Sequence, residues 1–435
     1  MDPTVIIGAC SAVIIFLISF SKGKSILRYL VYLWFFSFNF GARGIKIFDM
    51  RIYFMEGITW LIFVLILIRM NFNILGEQKK IFPKITGISF IFYTIGLFIA
   101  SSNNIELKNS FGEYKVFLML IPCFYITYVG FKYFNLKIKK VLIILSIGAF
   151  ALTIIAAITY FAPSAVSFLV PQELTTGESV LIDARSVDVK LEGGESFRRG
   201  GGSLWGILLV SAYLGLLLFL INVGRLYERE KPKKIFYLAT CILIAITILI
   251  NGQRSVWVGM LLGSGFYFLK KGVRGIFTGA ILLGLTIMFL PSSIILRFSS
   301  IFEVNEISWA GRLGRYEVAK TIIRENPFFG KGWASGGSVH NLALQLGANI
   351  GIIGFLVFIA WAFFIFNKSL KVYKIQPASK KFKEYHLAFL TGFLVFVGPL
   401  MGESTINWPI LMGPYWFFCA VLHNFNTGLI QEDSL

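Results

Sequence analysis

The chain has 435 residues, 56% hydrophobic and 14% charged, with 41 Lys and Arg against 22 Asp and Glu and a mean hydropathy of +0.75. A soluble domain carries about 25% charged residues, so this composition excludes a water-surrounded globule, a disordered chain and a secreted disulfide scaffold. A net charge of +19 would suit a nucleic-acid binder, but the placement of that charge excludes nucleic acid as a partner.

Apolar runs follow one another at about 4–20, 27–41, 52–68, 85–101, 114–130, 141–162, 203–223, 235–250, 255–269, 275–291, 345–366, 386–401 and 409–424. They are apolar on every face, where transmembrane strands would alternate. The expected fold is therefore an all-α polytopic membrane protein with about 12–13 transmembrane helices. The first run lacks a basic leading segment and a small-residue cleavage site, so it reads as an anchor and not as a signal peptide. Cys10, Cys123, Cys241 and Cys419 all fall inside apolar runs, at no metal-like or disulfide-like spacing, and read as packing residues.

Six connecting segments, 21–28, 69–84, 131–140, 224–234, 270–274 and 367–385, hold 25 Lys and Arg against four acids. They alternate with the other connections, so the entire positive excess lies on one face. Basic loops mark the cytoplasmic side. Membrane lipids are thus an expected partner.

Two connections on the opposite face are long, 161–202 and about 291–344. Long soluble insertions in a membrane scaffold are uncommon unless they carry function. The cation also changes between faces: the six basic segments carry 20 Lys and 5 Arg, the rest of the chain 6 Lys and 10 Arg. Arginine is preferred where a planar fork must grip phosphate or carboxylate. Arg198, Arg199, Arg312 and Arg315 lie in the long loops, where either anion binding or salt bridges to loop acids would occupy them.

Arg254 stands in Asn251-Gly252-Gln253-Arg254-Ser255 between two apolar runs, at the outer membrane surface. Two roles are open to it: snorkelling to headgroups or holding an anion beneath a cavity. From Gly311 to Glu325, Leu313, Tyr316, Ala319 and Ile323 recur at helical spacing, and Pro327 and Gly330 end the run. Arg312 and Arg315, three apart, share one side of that helix. A glycine-rich stretch, Gly330 to Gly337, follows and reads as flexible; it ends at Ser338-Val339-His340-Asn341, where the next apolar helix begins. His340 is the one histidine expected on the outer face. A helix start disfavours imidazolium, leaving a ring able to accept a proton. Capping the helix and donating to an anion are the other roles open to it. His386 and His423 read as interfacial or packing residues. Glu403, just past the 386–401 run, is a rival base.

The stretch Gly311-Arg312…Tyr316…Ala319…Ile322…Asn326-Pro327-Phe328-Phe329-Gly330-Lys331-Gly332…His340-Asn341…Gln345-Leu346…Gly351-Ile352-Ile353-Gly354 resembles the signature region of the O-antigen ligase/polymerase superfamily. Gln253-Arg254-Ser255 with Trp257 resembles another of its segments, and Arg198-Arg199-Gly200 its Arg-Gly loop end. The resemblance covers about residues 250–355. Tyr316 stands where the family usually has Trp, and Ser203-Leu204-Trp205 replaces its usual Pro-Asn.

The resemblance implies a GT-C class membrane glycosyltransferase with two long periplasmic loops in the bacterial inner membrane. Its donor would be an undecaprenyl-diphosphate-linked oligosaccharide. Its acceptor would be a second lipid-linked repeat, for polymerisation of O-antigen or a related surface polysaccharide, or alternatively the lipid A core, for a ligase. A chain-length regulator is a further implied partner. Catalysis would rest on Arg254, Arg312 and His340, with Arg198, Arg199, Arg315, Asn341 and Glu403 binding diphosphate or substrate. No cofactor and no metal is expected: there is no D-x-D, and Asp is scarce. A transporter or flippase of lipid-linked sugar is a more distant reading. It would need polar residues at the membrane midplane, where Glu56 is the only clear candidate, and interfacial packing explains that residue as easily. On these grounds the chain divides into N-terminal transmembrane helices (1–160), an outer loop (161–202), central helices (203–291), a loop with the amphipathic helix (292–344) and C-terminal helices (345–435).

Overall fold

A computed structural model describes residues 24–38, 44–47, 50–70, 78–161, 187–190, 196–199, 207–290, 292, 294–295, 307–337, 339–375, 378–402 and 409–435. The run at 4–20 with Cys10, most of the 161–202 loop and Glu403 lie outside these residues. The helices are α1 (Lys24–Ser37), α2 (Phe54–Arg69), α3 (Lys84–Ser102), α4 (Leu107–Leu118), α5 (Leu120–Tyr133), α6 (Ile138–Phe161), α7 (Ile207–Tyr227), α8 (Lys231–Ile250), α9 (Arg254–Lys270), α10 (Gly272–Phe289), α11 (Ile307–Glu325), α12 (Leu342–Ile375), α13 (Lys380–Val395), α14 (Val397–Gly402) and α15 (Pro409–Asn426). A single turn, Gln78–Ile81, precedes α3.

The protein is helical and built of membrane-type elements. Among the described residues, six helices are long and apolar enough to cross a membrane: Lys84–Ser102, Leu107–Tyr133, Ile138–Ile158, Lys231–Ile250, Leu342–Ile375 and Lys380–Gly402. The apolar helices Ile26–Ser37, Ser211–Tyr227 and Gly272–Met288 are shorter.

Local chemistry sets the helix ends. Pro83 precedes the first turn of α3 in extended conformation, and Ser379 Oγ accepts from Phe382 N at 3.2 Å to cap α13. Asn135, at a φ of +49°, ends α5, and Leu136 N–H returns to Gly130 O at 2.9 Å. Among the described residues, two antiparallel hairpins interrupt the helices, Gly44–Ile47 with Met50–Tyr53 and Val187–Lys190 with Ser196–Arg199.

The core is aromatic, with Trp34, Trp333, Trp361 and Trp416 all enclosed. On the basic side, Lys271 pairs with Glu384 and Lys139 with Glu228. At the other end, α9 and the α13–α14 pair meet backbone to backbone. A Cβ at Gly259 would overlap the Val395 carbonyl, and one at Gly398 would overlap that of Ser255. Packing this close fixes the start of α9 against the end of α14.

Candidate functional site

The turn between α8 and α9 places the first arginine. Gly252 adopts a φ of +60°, which reverses the chain in three residues. Asn251 Nδ2 donates to Ser211 Oγ at 2.8 Å and Trp257 Nε1 to Ile248 O at 3.0 Å. Arg254 opens α9 and is half-buried. The flanking Gln253 Oε1 and Ser255 Oγ are buried with no hydrogen-bond partner among the described residues.

Helix α11 carries the next two. Arg312 is half-buried and its Nη1 donates to Gly402 O at 3.3 Å, while Arg315 is exposed. Tyr316, Ala319, Ile322 and Ile323 pack against Val339, Leu344 and Ala348. Leu313, expected on that inward face, is exposed instead.

Beyond α11 the structure departs from a simple loop and helix. Helix α12 is broken at Gly351, where φ is +72° and ψ 179°. The Asn326–Gly332 turn docks into that break. Ile352 N donates to Pro327 O at 2.8 Å and Ile353 N to Phe328 O at 3.4 Å, while Lys331 N and Gly332 N donate to Ala348 O and Asn349 O at 2.9 and 3.0 Å. Carbonyls and amides freed by the break are thus satisfied by the turn. The following stretch, read as flexible, is anchored. Trp333 is enclosed, its Nε1 donates to Tyr93 O at 2.7 Å, and its own carbonyl accepts from Ser110 Oγ at 3.1 Å.

His340 has a φ of +52° and immediately precedes the cap of α12. That cap is Asn341: its Oδ1 accepts from Leu344 N at 3.0 Å, and its Nδ2 donates to Met401 O at 3.1 Å. Both ends of the amide are therefore used within the protein.

Three segments converge on the end of α14. Arg312 and Asn341 grip the successive carbonyls of Gly402 and Met401, and Gly402 packs on Ser255, beside Arg254. The chain around Arg254, Arg312 and His340 is thereby drawn together, and Glu403, outside the described residues, follows Gly402 directly. Arg198 and Arg199 lie on a hairpin strand opposite Asp188 and Val187. His386 shares a hydrogen bond with Ser369 and stacks on Phe425, and His423 Nε2 lies 3.0 Å from Lys80 O. Among the described residues no three His, Cys, Asp or Glu side chains stand together as metal ligands would.

Sequence reasoning missed Glu113. This buried carboxylate accepts from Ala334 N at 3.1 Å, Gln345 Nε2 at 3.3 Å and Asn349 Nδ2 at 2.7 Å. It ties α4 to both ends of the segment bearing His340. Glu56 is likewise engaged, 3.1 Å from Lys115 Nζ. The available signal was charge at the edge of the 114–130 apolar run. No family model matches the chain, and no curated protein matches it.

Proposed function

We propose that the protein is a metal-independent glycosyltransferase of the GT-C class, with 12–13 spans in the bacterial inner membrane and its site on the periplasmic face. It moves a glycan from an undecaprenyl-diphosphate carrier onto a lipid-linked acceptor, polymerising surface-polysaccharide repeats. The observation that carries the reading is the meeting, at Gly402, of the segments bearing Arg254, Arg312 and His340.

In this reading the acceptor hydroxyl oxygen attacks the anomeric carbon, and its proton passes to His340. The bond from that carbon to the diphosphate oxygen breaks with its electron pair. Arg254 and Arg312 stabilise the charge growing on the departing diphosphate. The half-buried positions of both arginines support this, because electrostatic stabilisation strengthens where water is thinned. Glu56 does not support a transport path through the midplane, since it stands in the first turn of α2, where it accepts from Tyr53 N at 3.3 Å and pairs with Lys115 at 3.1 Å.

The test is chain growth from a lipid-diphosphate donor by purified variants. Arg254→Ala and Arg312→Ala abolish it while the protein still inserts, and lysine restores little at either position because a point charge replaces a fork. Near-normal transfer by both alanine variants would overturn the reading. Retention by the double lysine variant would reduce the arginines to charge alone.

A further inference from the structure

Helix lengths fix where the broken helix sits. From Ile352 to Ile375, α12 rises about 36 Å, and Lys380–Gly402 rises about 34 Å. The two begin from neighbouring ends, 375 and 380, so Gly351 and Gly402 reach about the same height. The half-helix Leu342–Ile350 has Asn341 on Met401 at one end and Gly351 at the other. It therefore runs across the bilayer surface and not through it. Helix α11, packed on Gly347 and Ala348 through Ile323 and its neighbours, shares that level.

Two apolar rows on the outside of the bundle climb to the same level. One is Ile88, Ile91 and Phe98 on α3; the other is Ile352, Leu356, Ile359 and Phe363 on α12. Both are exposed at helical spacing, as lipid-facing rows are. Within a turn of their upper ends the surface becomes polar: exposed Ser101, Ser102, Asn103 and Asn104 on one side, Arg324 and Glu325 on the other. At this change of polarity stand Phe328 and Phe329, 66% and 47% exposed. Their own backbone is pinned to Gly351 and its neighbours. Phe98, 70% exposed, projects from the stretch of α3 that packs on Ile350 through Gly96 and on Gly332 through Ala100.

We propose that Phe328 and Phe329, with Phe98, form an interfacial foot that enters the lipid between headgroups and acyl chains. The occupant of this surface is the bilayer itself. Three exposed phenylalanines in water would each leave a large apolar face unpaid for by any contact, whereas aromatic and aliphatic side chains at this depth gain from partial burial. The foot holds the charged face of α11 in water and sets the height of Arg312 above the acyl region. The inference is independent of the proposed transfer reaction.

Spin labels on single cysteines test it, in protein whose native cysteines are replaced and which is reconstituted into phosphatidylcholine vesicles. Collision with oxygen and with a water-soluble nickel chelate is compared at Phe328→Cys, Phe329→Cys and Phe98→Cys. Thr321→Cys on the exposed face of α11 marks water, and Phe363→Cys marks the acyl interior. The expected oxygen-to-nickel ratio at the three positions lies between these references, several-fold above Thr321. A ratio equal to that at Thr321 places the turn in water and overturns the proposal. So does a ratio equal to that at Phe363, which places it in the core. Low collision with both reagents would mean cover by protein, a second copy included, and would overturn it as well. Three separately labelled sites keep the test decisive where one substitution fails to fold.

Discussion

Asn349 Nδ2 donates a 2.7 Å hydrogen bond to Glu113 Oε2, joining two buried side chains 236 positions apart. With Ala334 N and Gln345 Nε2 on the same carboxylate, the first third of the chain holds both ends of the segment that carries His340. The position of that histidine is decided at α4 as much as on its own loop.

Glu113→Ala removes the acceptor that three donors share in a buried place. Losing bonds to a buried carboxylate costs roughly 1–3 kcal/mol, so the variant should unfold well below the wild type in detergent thermal melts. Glu113→Gln keeps one acceptor oxygen and should fall between the two. A Glu113→Ala midpoint equal to wild type would show that the bonds carry no stability.

Gly351 is the second point of sensitivity. A side chain there meets the Phe328 backbone and is strained by the positive φ. Gly351→Ala should therefore cost at least about 2 kcal/mol. Gly314, helical and with open space around it, offers the contrast: Gly314→Ala should gain about 0.5–1 kcal/mol. Thermal melts of the pair, side by side, check both signs.

On the basic face, Glu228 supplies a pH dependence. Burial alone would push its carboxyl up, but the Glu230 and Arg229 amides and Lys139 outweigh it and hold it below its ordinary value of 4.5. The group therefore adds stability that is complete above that value and is lost as pH falls through the lower folded pKa. Glu228→Gln should lower stability by about 2 kcal/mol at pH 7. The gap to wild type should narrow as the pH of the melts is taken down through that lowered pKa. A gap that stays constant with pH would assign the loss to packing.

Hydropathy made most helices legible, because a run of apolar side chains is a property of composition. It also located the turn at Asn251–Gln253 and the start of the helix after Asn341, where short polar segments punctuate apolar ones; that Asn341 and not His340 caps that helix was not legible. The break at Gly351 was invisible, since an apolar run with one glycine looks the same whether straight or broken. What breaks it is the docked turn of Pro327 and Phe328, a partner that no local window contains. Glu113 was hidden for a related reason. A carboxylate at the edge of an apolar run looks interfacial until its donors, more than two hundred positions away, are known. Glycine richness from 330 to 337 suggested freedom, whereas Trp333 inside that stretch supplied the anchor.

The docked turn and the Glu113 tie differ in what they ask of chain entropy. Pro327 and Ile352 are 25 positions apart, Glu113 and Asn349 236. For an unconstrained chain, closing the longer loop costs about 2 kcal/mol more. The turn and the broken helix are thus a nearly local unit, able to close on itself early, while the carboxylate joins distant parts of the chain and closes late. Amides of Ile352, Lys331 and Gly332 should accordingly resist hydrogen exchange sooner in refolding than that of Ala334, so that the last contact made is the one that sets the histidine loop in place.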